Sequence, residues 1–198
     1  TTGGEYMKTG KTVKVLLTAA TAAGMLAGCG SKTDTDTFRF ASELDIQGMD
    51  STVVDDGMSF NAIHAITDGL TAVNEKGKTA PAIAKSWDVS DDGKTYTFHL
   101  RDAKWSNGDK VTANDFVYSW RKIIKDAGNY AYMLGNGGAS VKNADALMEL
   151  GANATDEQMA TLGVTAKDDK TLVVELENKV PYFTDLMAFP CYFQQNEK

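Results

Sequence analysis

Three Gly-Lys-Thr triplets, at residues 10–12, 77–79 and 93–95, are the first places in this chain where phosphate chemistry could reside. A P-loop needs a further glycine five residues earlier, so that backbone amides can wrap the anion. Those positions hold Glu5, Ala72 and Asp88, so none of the three qualifies. The two histidines, His64 and His99, stand far apart, and neither a His-Glu-x-x-His metal motif nor a Gly-x-Ser-x-Gly nucleophile elbow occurs. Each histidine is read as a structural side chain rather than a metal ligand. The pairs Asp91-Asp92 and Asp168-Asp169 offer acid–base groups, but both fall at the tips of expected hairpins, where aspartate suits the turn. No catalytic residue, metal site or cofactor is expected.

Cys29 is the one residue whose surroundings announce a reaction. Lys8, Lys11 and Lys14 form a basic region, and Val15 to Leu26 an apolar run of about 12 residues. Together they have the parts of an export signal over residues 7–28. A spanning helix needs roughly 20 apolar residues, so this run is too short for a permanent anchor. It ends on Leu26-Ala27-Gly28-Cys29, which resembles the lipobox of bacterial lipoproteins. That resemblance implies that the Cys29 thiol takes a diacylglyceryl group and that cleavage leaves Cys29 as a lipidated N-terminus. Each buried methylene contributes about 0.8 kcal/mol, so several acyl chains hold firmly to a membrane. Cys191 then has no partner and reads as a buried small hydrophobe. Residues 1–6 do not suit the basic region; translation is expected to start at Met7, with the preceding residues an extraneous leader.

Composition narrows the partners. The chain has 42% hydrophobic and 24% charged residues, an ordinary globular balance, and a formal charge of −7. Beyond residue 28 the charge is −9, with basic residues scattered rather than striped. Nucleic acid is excluded as the main partner, because phosphate contacts need clustered Lys and Arg.

The elements that must position any site emerge from patterning. Residues 29–36 are a polar, flexible tether. Alternation over 37–42 predicts a strand. Asp55-Asp56-Gly57 opens a helix over 58–67 with Phe60, Ile63 and Ile66 on one face and Gly69 as its stop. Leu70–Val73 is a short strand. Ser86–Val89 and Thr95–Arg101 flank a turn and make a hairpin, with Tyr96, Phe98 and Leu100 facing one way. Thr112 and Asp115 mark the start of a helix that runs to Lys125 and buries Phe116, Val117, Trp120 and Ile124. Two short helices end at Gly151 and Gly163. A second hairpin spans 164–176, and Pro181 begins a last short helix. The cluster Trp87, Trp105, Trp120, Tyr96, Phe98, Phe116 and Tyr118 reads as one hydrophobic core.

The stretch "IAKSWDVSDDGKTYTFHLRDAKWSNGDKVTANDFVYSWRK", Ile83 to Lys122, closely resembles the signature region of the oligopeptide-binding proteins of bacterial ABC importers, the family 5 extracellular solute-binding proteins. Upstream, "ELDIQGMDSTVVDDGMSFNAIHAITDGL" is similar to that family's first strand, ligand loop and following helix. Downstream, "LGVTAKDDKTLVVELENKVPYFTDLMAFP" fits its next hairpin and helix. The resemblance covers Phe38 to Lys198. It implies an α/β, two-lobed periplasmic-binding-protein-like fold of type II, peptide-binding class, here truncated to the first large-lobe strand and most of the small lobe. Residues 37–52 would be the first segment of the large lobe, and 53–198 the small lobe, re-entering the large lobe near its C-terminal end. Asp50-Ser51 stands where many relatives have Asp-Pro.

Carried onto this chain, the resemblance places backbone contacts to ligand on Glu43, Leu44, Asp45, Ile46, Gln47, Gly48 and Met49. It implies an extended peptide held by main-chain hydrogen bonds in an inter-lobe cleft, as in strand-addition recognition. The expected partners are a peptide, the membrane permease and ATPase subunits, and the membrane itself through the lipid on Cys29. The expected location is the outer face of the cell membrane, the periplasmic side in a Gram-negative cell. Rival readings are a family member for a nickel chelate, sugar or signalling peptide, a lipid-anchored secreted enzyme, and a structural surface lipoprotein.

Overall fold

The computed structural model describes Ala41, Ser42 and residues 44–197. Cys29, the export signal, the tether and Glu43 lie outside the described residues. Of the strand expected over 37–42, only Ala41 and Ser42 are described, and neither is in a strand.

Alternation builds the centre of the fold. In β4 (Thr95–Leu100), Tyr96, Phe98 and Leu100 are buried while Thr97 and His99 are half-exposed. The hairpin partner is β3 (Ala84–Val89), as the turn at Ser90–Lys94 requires. There the Asp92 carboxylate accepts from Ser90 Oγ at 2.5 Å and from the Lys94 amide at 3.0 Å. The second hairpin joins β5 (Val164–Asp168) to β6 (Thr171–Glu175). β6 then pairs antiparallel with β4, giving one four-stranded sheet in the order β3-β4-β6-β5. Each large apolar side chain so buried contributes about 1.5–3 kcal/mol, and Phe98, Leu172 and Val174 are fully enclosed.

Helices cover this sheet and one flank. α1 (Gly57–Ile66) starts where the Asp56 carboxylate accepts from the Ser59 amide at 2.8 Å, an N-cap satisfying a free helical donor. Phe60 and Ile63 are buried as expected, but Ile66 is 74% exposed. The helix ends one residue later on extended Thr67, not at Gly69. Gly69 has another role: a Cβ there would sit 2.4 Å from the Phe193 ring and 2.5 Å from the Met187 carbonyl oxygen, so only glycine fits. A small antiparallel pair comes next, β1 (Thr71–Val73) with β2 (Thr79–Pro81); β2 carries no sequence expectation.

α2 (Ala113–Lys125) packs across β5 and β6, burying Phe116, Val117, Trp120, Ile123 and Ile124. The Asp115 carboxylate accepts from the Thr112 amide at 2.7 Å and from Trp105 Nε1 at 3.3 Å, which fixes the helix start where the spacing placed it. α3 (Ala144–Leu150), α4 (Asp156–Met159) and α5 (Phe183–Leu186) complete the fold. Of the aromatic cluster, Trp120, Phe98, Phe116 and Tyr96 are core, and Trp87 and Trp105 pack against it. Tyr118 is not: it is turned off the buried stripe of α2 and borders a surface groove. The chain end is strapped back onto α2, with Ser119 Oγ donating to the Phe193 carbonyl at 2.6 Å and Trp120 Nε1 to that of Tyr192 at 2.9 Å.

Candidate functional site

The segment from Leu44 to Met49 has no regular secondary structure. Leu44, Ile46 and Met49 are 64%, 52% and 47% exposed, an unusual density of large apolar side chains in water. Its backbone is held at two places. Ser42 Oγ accepts from the Leu44 amide at 3.2 Å and donates to the Leu44 carbonyl at 2.9 Å. Ser59 Oγ accepts from the amides of Gln47 and Gly48 at 3.0 and 3.2 Å. Ser59 itself is fully buried. Among the described residues, the amides and carbonyls of Ile46 and Met49 have no hydrogen-bond partner. Within this part of the receptor these main-chain groups are left for pairing with a further chain segment or a ligand.

The turn after the segment is rigid. Asp50 Oδ1 accepts from the Thr52 amide at 3.0 Å, from Thr52 Oγ1 at 2.7 Å and from Gln195 Nε2 at 2.5 Å. Its other oxygen meets Lys122 Nζ at 2.9 Å. Partial burial pushes the Asp50 carboxyl up, but hydrogen bonds from Thr52, Gln195 and Lys122 outweigh it and hold the group far below the usual carboxylate range. Just beyond the turn, Val54 joins Phe60, Ile63 and Phe193 in a small buried cluster. A Cβ at Gly48 would meet Val54 Cγ1 at 3.0 Å, so the chain passes close to that cluster.

The other chemical candidates are dispersed. His99 Nε2 lies 2.8 Å from Asp88 Oδ2 on the exposed face of the sheet, and His64 meets the Phe193 ring edge-on with its pKa lowered by burial. Both acidic pairs sit at hairpin tips, as the turn chemistry predicts. Cys191 is fully buried, and that burial drives its thiol pKa far up. Among the described residues no group of three or more His, Cys, Asp and Glu side chains is arranged to hold a metal. No helix among them is long and apolar enough to cross a membrane. A hollow of about 590 Å³ lies elsewhere, along α2 beside Tyr118, Arg121 and Met159.

The model of the bacterial extracellular solute-binding proteins, family 5, matches residues 78–198, more than half of the chain. The chain belongs to this family. Among family 5 relatives, the dipeptide-binding protein of Lactococcus lactis subsp. cremoris is 38% identical over 196 residues, covering 97% of this chain and 34% of the relative. The oligopeptide-binding protein OppA of Bacillus subtilis is 42% identical over 149 residues, 74% of this chain and 26% of the relative. A solved structure from Bacillus anthracis, the substrate-binding domain of an oligopeptide ABC transporter, superposes with a TM-score of 0.73 at 40% identity, covering 80% of this chain and 29% of that one. The chain thus spans about a third or less of the length of these family 5 proteins, and its α/β fold is part of their two-lobed architecture. The relatives are named as binding proteins rather than enzymes.

The ligand segment carried over from the family resemblance includes the unpaired main chain at Ile46 and Met49. Composition had no means of finding Ser59, Asp50, Lys122 or Gln195 as its supports, because Ser59 reads as an ordinary first-turn helix residue and Asp50 as a turn residue in sequence. Lys122 and Gln195 reach the segment only through tertiary packing, 72 and 145 positions away.

Proposed function

We propose that this chain is part of the substrate-binding subunit of an ABC importer that captures oligopeptides and delivers them to a membrane permease. The observations that carry this reading are the unpaired main chain at Ile46 and Met49 and family 5 relatives named for binding dipeptides and oligopeptides. A bound peptide would lie extended, exchanging main-chain hydrogen bonds with the segment from Glu43 to Met49, while Leu44, Ile46 and Met49 shelter its side chains. Main-chain pairing supplies affinity without demanding a sequence. Residues 37–52 then serve the large lobe and 53–198 the small lobe, and peptide bound to both would stabilise the closed form by population shift. The subunit performs no chemistry of its own; ATP hydrolysis belongs to the transporter. Residues 7–28 direct export, Cys29 carries the lipid anchor on the outer face of the membrane, and residues 29–36 tether the receptor to it.

Calorimetry on the receptor expressed from its complete reading frame, with mixed tri- to pentapeptides, tests the reading. Saturable binding is expected. No heat from any peptide length, beside clear heat from a nickel chelate or sugar, replaces the ligand class.

A further inference from the structure

Asn-Gly occurs twice in the chain, at Asn107-Gly108 and Asn136-Gly137, and this dipeptide carries a reaction of its own. With no Cβ to hinder it, the glycine nitrogen attacks the preceding side-chain amide once it has lost its proton to base in the solvent. It bonds to the asparagine Cγ, the Cγ–Nδ2 bond breaks, and Nδ2 takes a proton from water and leaves as ammonia. Water then opens the five-membered imide. Breaking the new bond to Cγ leaves aspartate; breaking the old peptide bond leaves isoaspartate, whose main chain runs through the former side chain. Water enters, ammonia departs, and the chain gains one negative charge.

The fold treats the two sites differently. Asn136 is gripped by three residues outside its own turn. Its amide donates to Asp145 Oδ2 at 3.2 Å, Nδ2 donates to the same carboxylate, and Oδ1 accepts from Ser140 Oγ at 3.0 Å and from Asn178 Nδ2 at 3.2 Å. Cγ turns to the Gly137 nitrogen only when that whole set opens, and a reaction that needs local opening slows with its cost. Asn107 is held by its own turn. Among the described residues its side chain bonds only to Asp109: Nδ2 donates to Asp109 Oδ2 at 3.2 Å, and Oδ1 accepts from the Asp109 amide at 3.0 Å. That amide is aimed at the oxygen on which negative charge builds as nitrogen attacks. One bond, from the Gly108 amide to the Trp105 carbonyl at 2.9 Å, must open to free the nucleophile. The turn also demands its glycine, since Gly108 has φ +92°.

We infer that Asn107 is a site of spontaneous deamidation, that the fold protects Asn136, and that isoaspartate at 107 loosens the start of α2. Isoaspartate adds a backbone atom to a tight turn, closed by the Gly108 bond to Trp105 and by the Trp105 amide donating to the Asp109 carbonyl at 2.9 Å. Trp105 rides on that turn, and its Nε1 meets the Asp115 carboxylate, which also accepts from the Thr112 amide at the start of α2. The added atom breaks the closure and draws Trp105 away from that carboxylate.

The test stores the complete receptor in warm, mildly alkaline buffer and maps its peptides by mass spectrometry, with digestion in heavy-oxygen water to mark deamidation that occurs after storage. In folded protein Asn107 should deamidate at least tenfold faster than Asn136, and in guanidinium the two rates should come within about threefold. Asp145→Ala should speed Asn136 about tenfold and leave Asn107 unchanged; should it not fold, Asn178→Ala, which removes one donor to Oδ1, should speed Asn136 about threefold. Asn107 left unmodified, or modified no faster than Asn136 in the folded protein, overturns the site. An Asn136 rate that the variant does not move overturns the protective grip. Deamidated protein, separated by its added charge, should melt below both native protein and Asn107→Asp, which carries the charge without the extra atom. Melting equal to that of Asn107→Asp overturns the coupling to α2.

Discussion

Lys122 Nζ stands 2.9 Å from Asp50 Oδ2 and 2.8 Å from Thr52 Oγ1, tying the turn at Asp50 to the last turn of α2. The same ammonium meets Asp126 Oδ2 one helical turn on, at 3.1 Å. With Gln195 also on Asp50, two remote parts of the chain join the neighbouring Thr52 on one carboxylate.

Lys122→Met should therefore destabilise the fold. Removing one partner leaves Asp50 half-buried with fewer donors, and charge-assisted hydrogen bonds contribute about 1.5–3 kcal/mol where they are shielded. Asp50 is 44% exposed, so solvent screening brings the expected loss to about 1–2 kcal/mol. Urea denaturation reads it as a lower midpoint at unchanged slope. A shift under a few tenths of a kcal/mol would show that the pair is only a surface contact.

Acid should expose the same carboxylate. Asp50 ionises in the fold far below its unfolded value of about 3.9, so the unfolded chain takes up its proton first. Its contribution is fully present above that value and is lost as pH falls towards the folded value. Stability measured by urea should drop between pH 4 and strong acid, and Asp50→Asn should flatten that part of the profile. The raised pKa of Lys122 acts at the other end: its contribution is complete below about 10.4 and is lost as pH rises through the folded value. Identical acid limbs for native and Asp50→Asn proteins would count against Asp50 as the linked group.

Two glycines should respond in opposite directions to alanine. At Gly128 a Cβ would lie 2.1 Å from the Thr52 carbonyl oxygen and 2.9 Å from Ile123 Cγ1, and backbone cannot yield cheaply. Gly128→Ala should cost about 1–3 kcal/mol or more, as overpacking does. At Gly57, the first residue of α1, nothing lies within 4 Å of the added atom. Gly57→Ala should be neutral or stabilise by up to about 1 kcal/mol, chiefly by restricting the unfolded chain. Thermal melts of both variants decide the matter.

Local signals explain which of these features the sequence discloses. Both hairpins, the start of α1 at Asp56 and the start of α2 at Thr112 are short-range devices, written in residues a few positions apart. The β4–β6 pairing that fuses the hairpins joins Tyr96 to Val174, a contact that no local pattern encodes. β2 is three residues ending in Pro81, too short for periodicity to show. Ile66 continues the spacing of Phe60 and Ile63 yet is exposed, because Phe193 and Val54 cover only the earlier turns. The segment from Leu44 to Met49 is irregular and has no period at all, so only the family resemblance singled it out. The Ser59 hydroxyl that accepts from Gln47 and Gly48 belongs to the first turn of α1, 12 residues from Gln47, a separation that no local pattern reports.

Thiol chemistry separates the two cysteines in one measurement. Cys191 is fully enclosed in the main hydrophobic core, and burial raises its pKa so far that almost no thiolate forms at pH 8. The thiolate is the reactive species, so native Cys191 should resist an aromatic disulfide reagent for hours. Unfolding in guanidinium should release it at once. If Cys29 carries lipid as proposed, peptide mapping of protein unfolded from the native host's membranes should find Cys191 labelled and Cys29 not. In cytoplasmic precursor, whose Cys29 is unmodified, both should be labelled on unfolding. A labelled Cys29 from the membrane form would remove the lipid from it while leaving the burial of Cys191 intact.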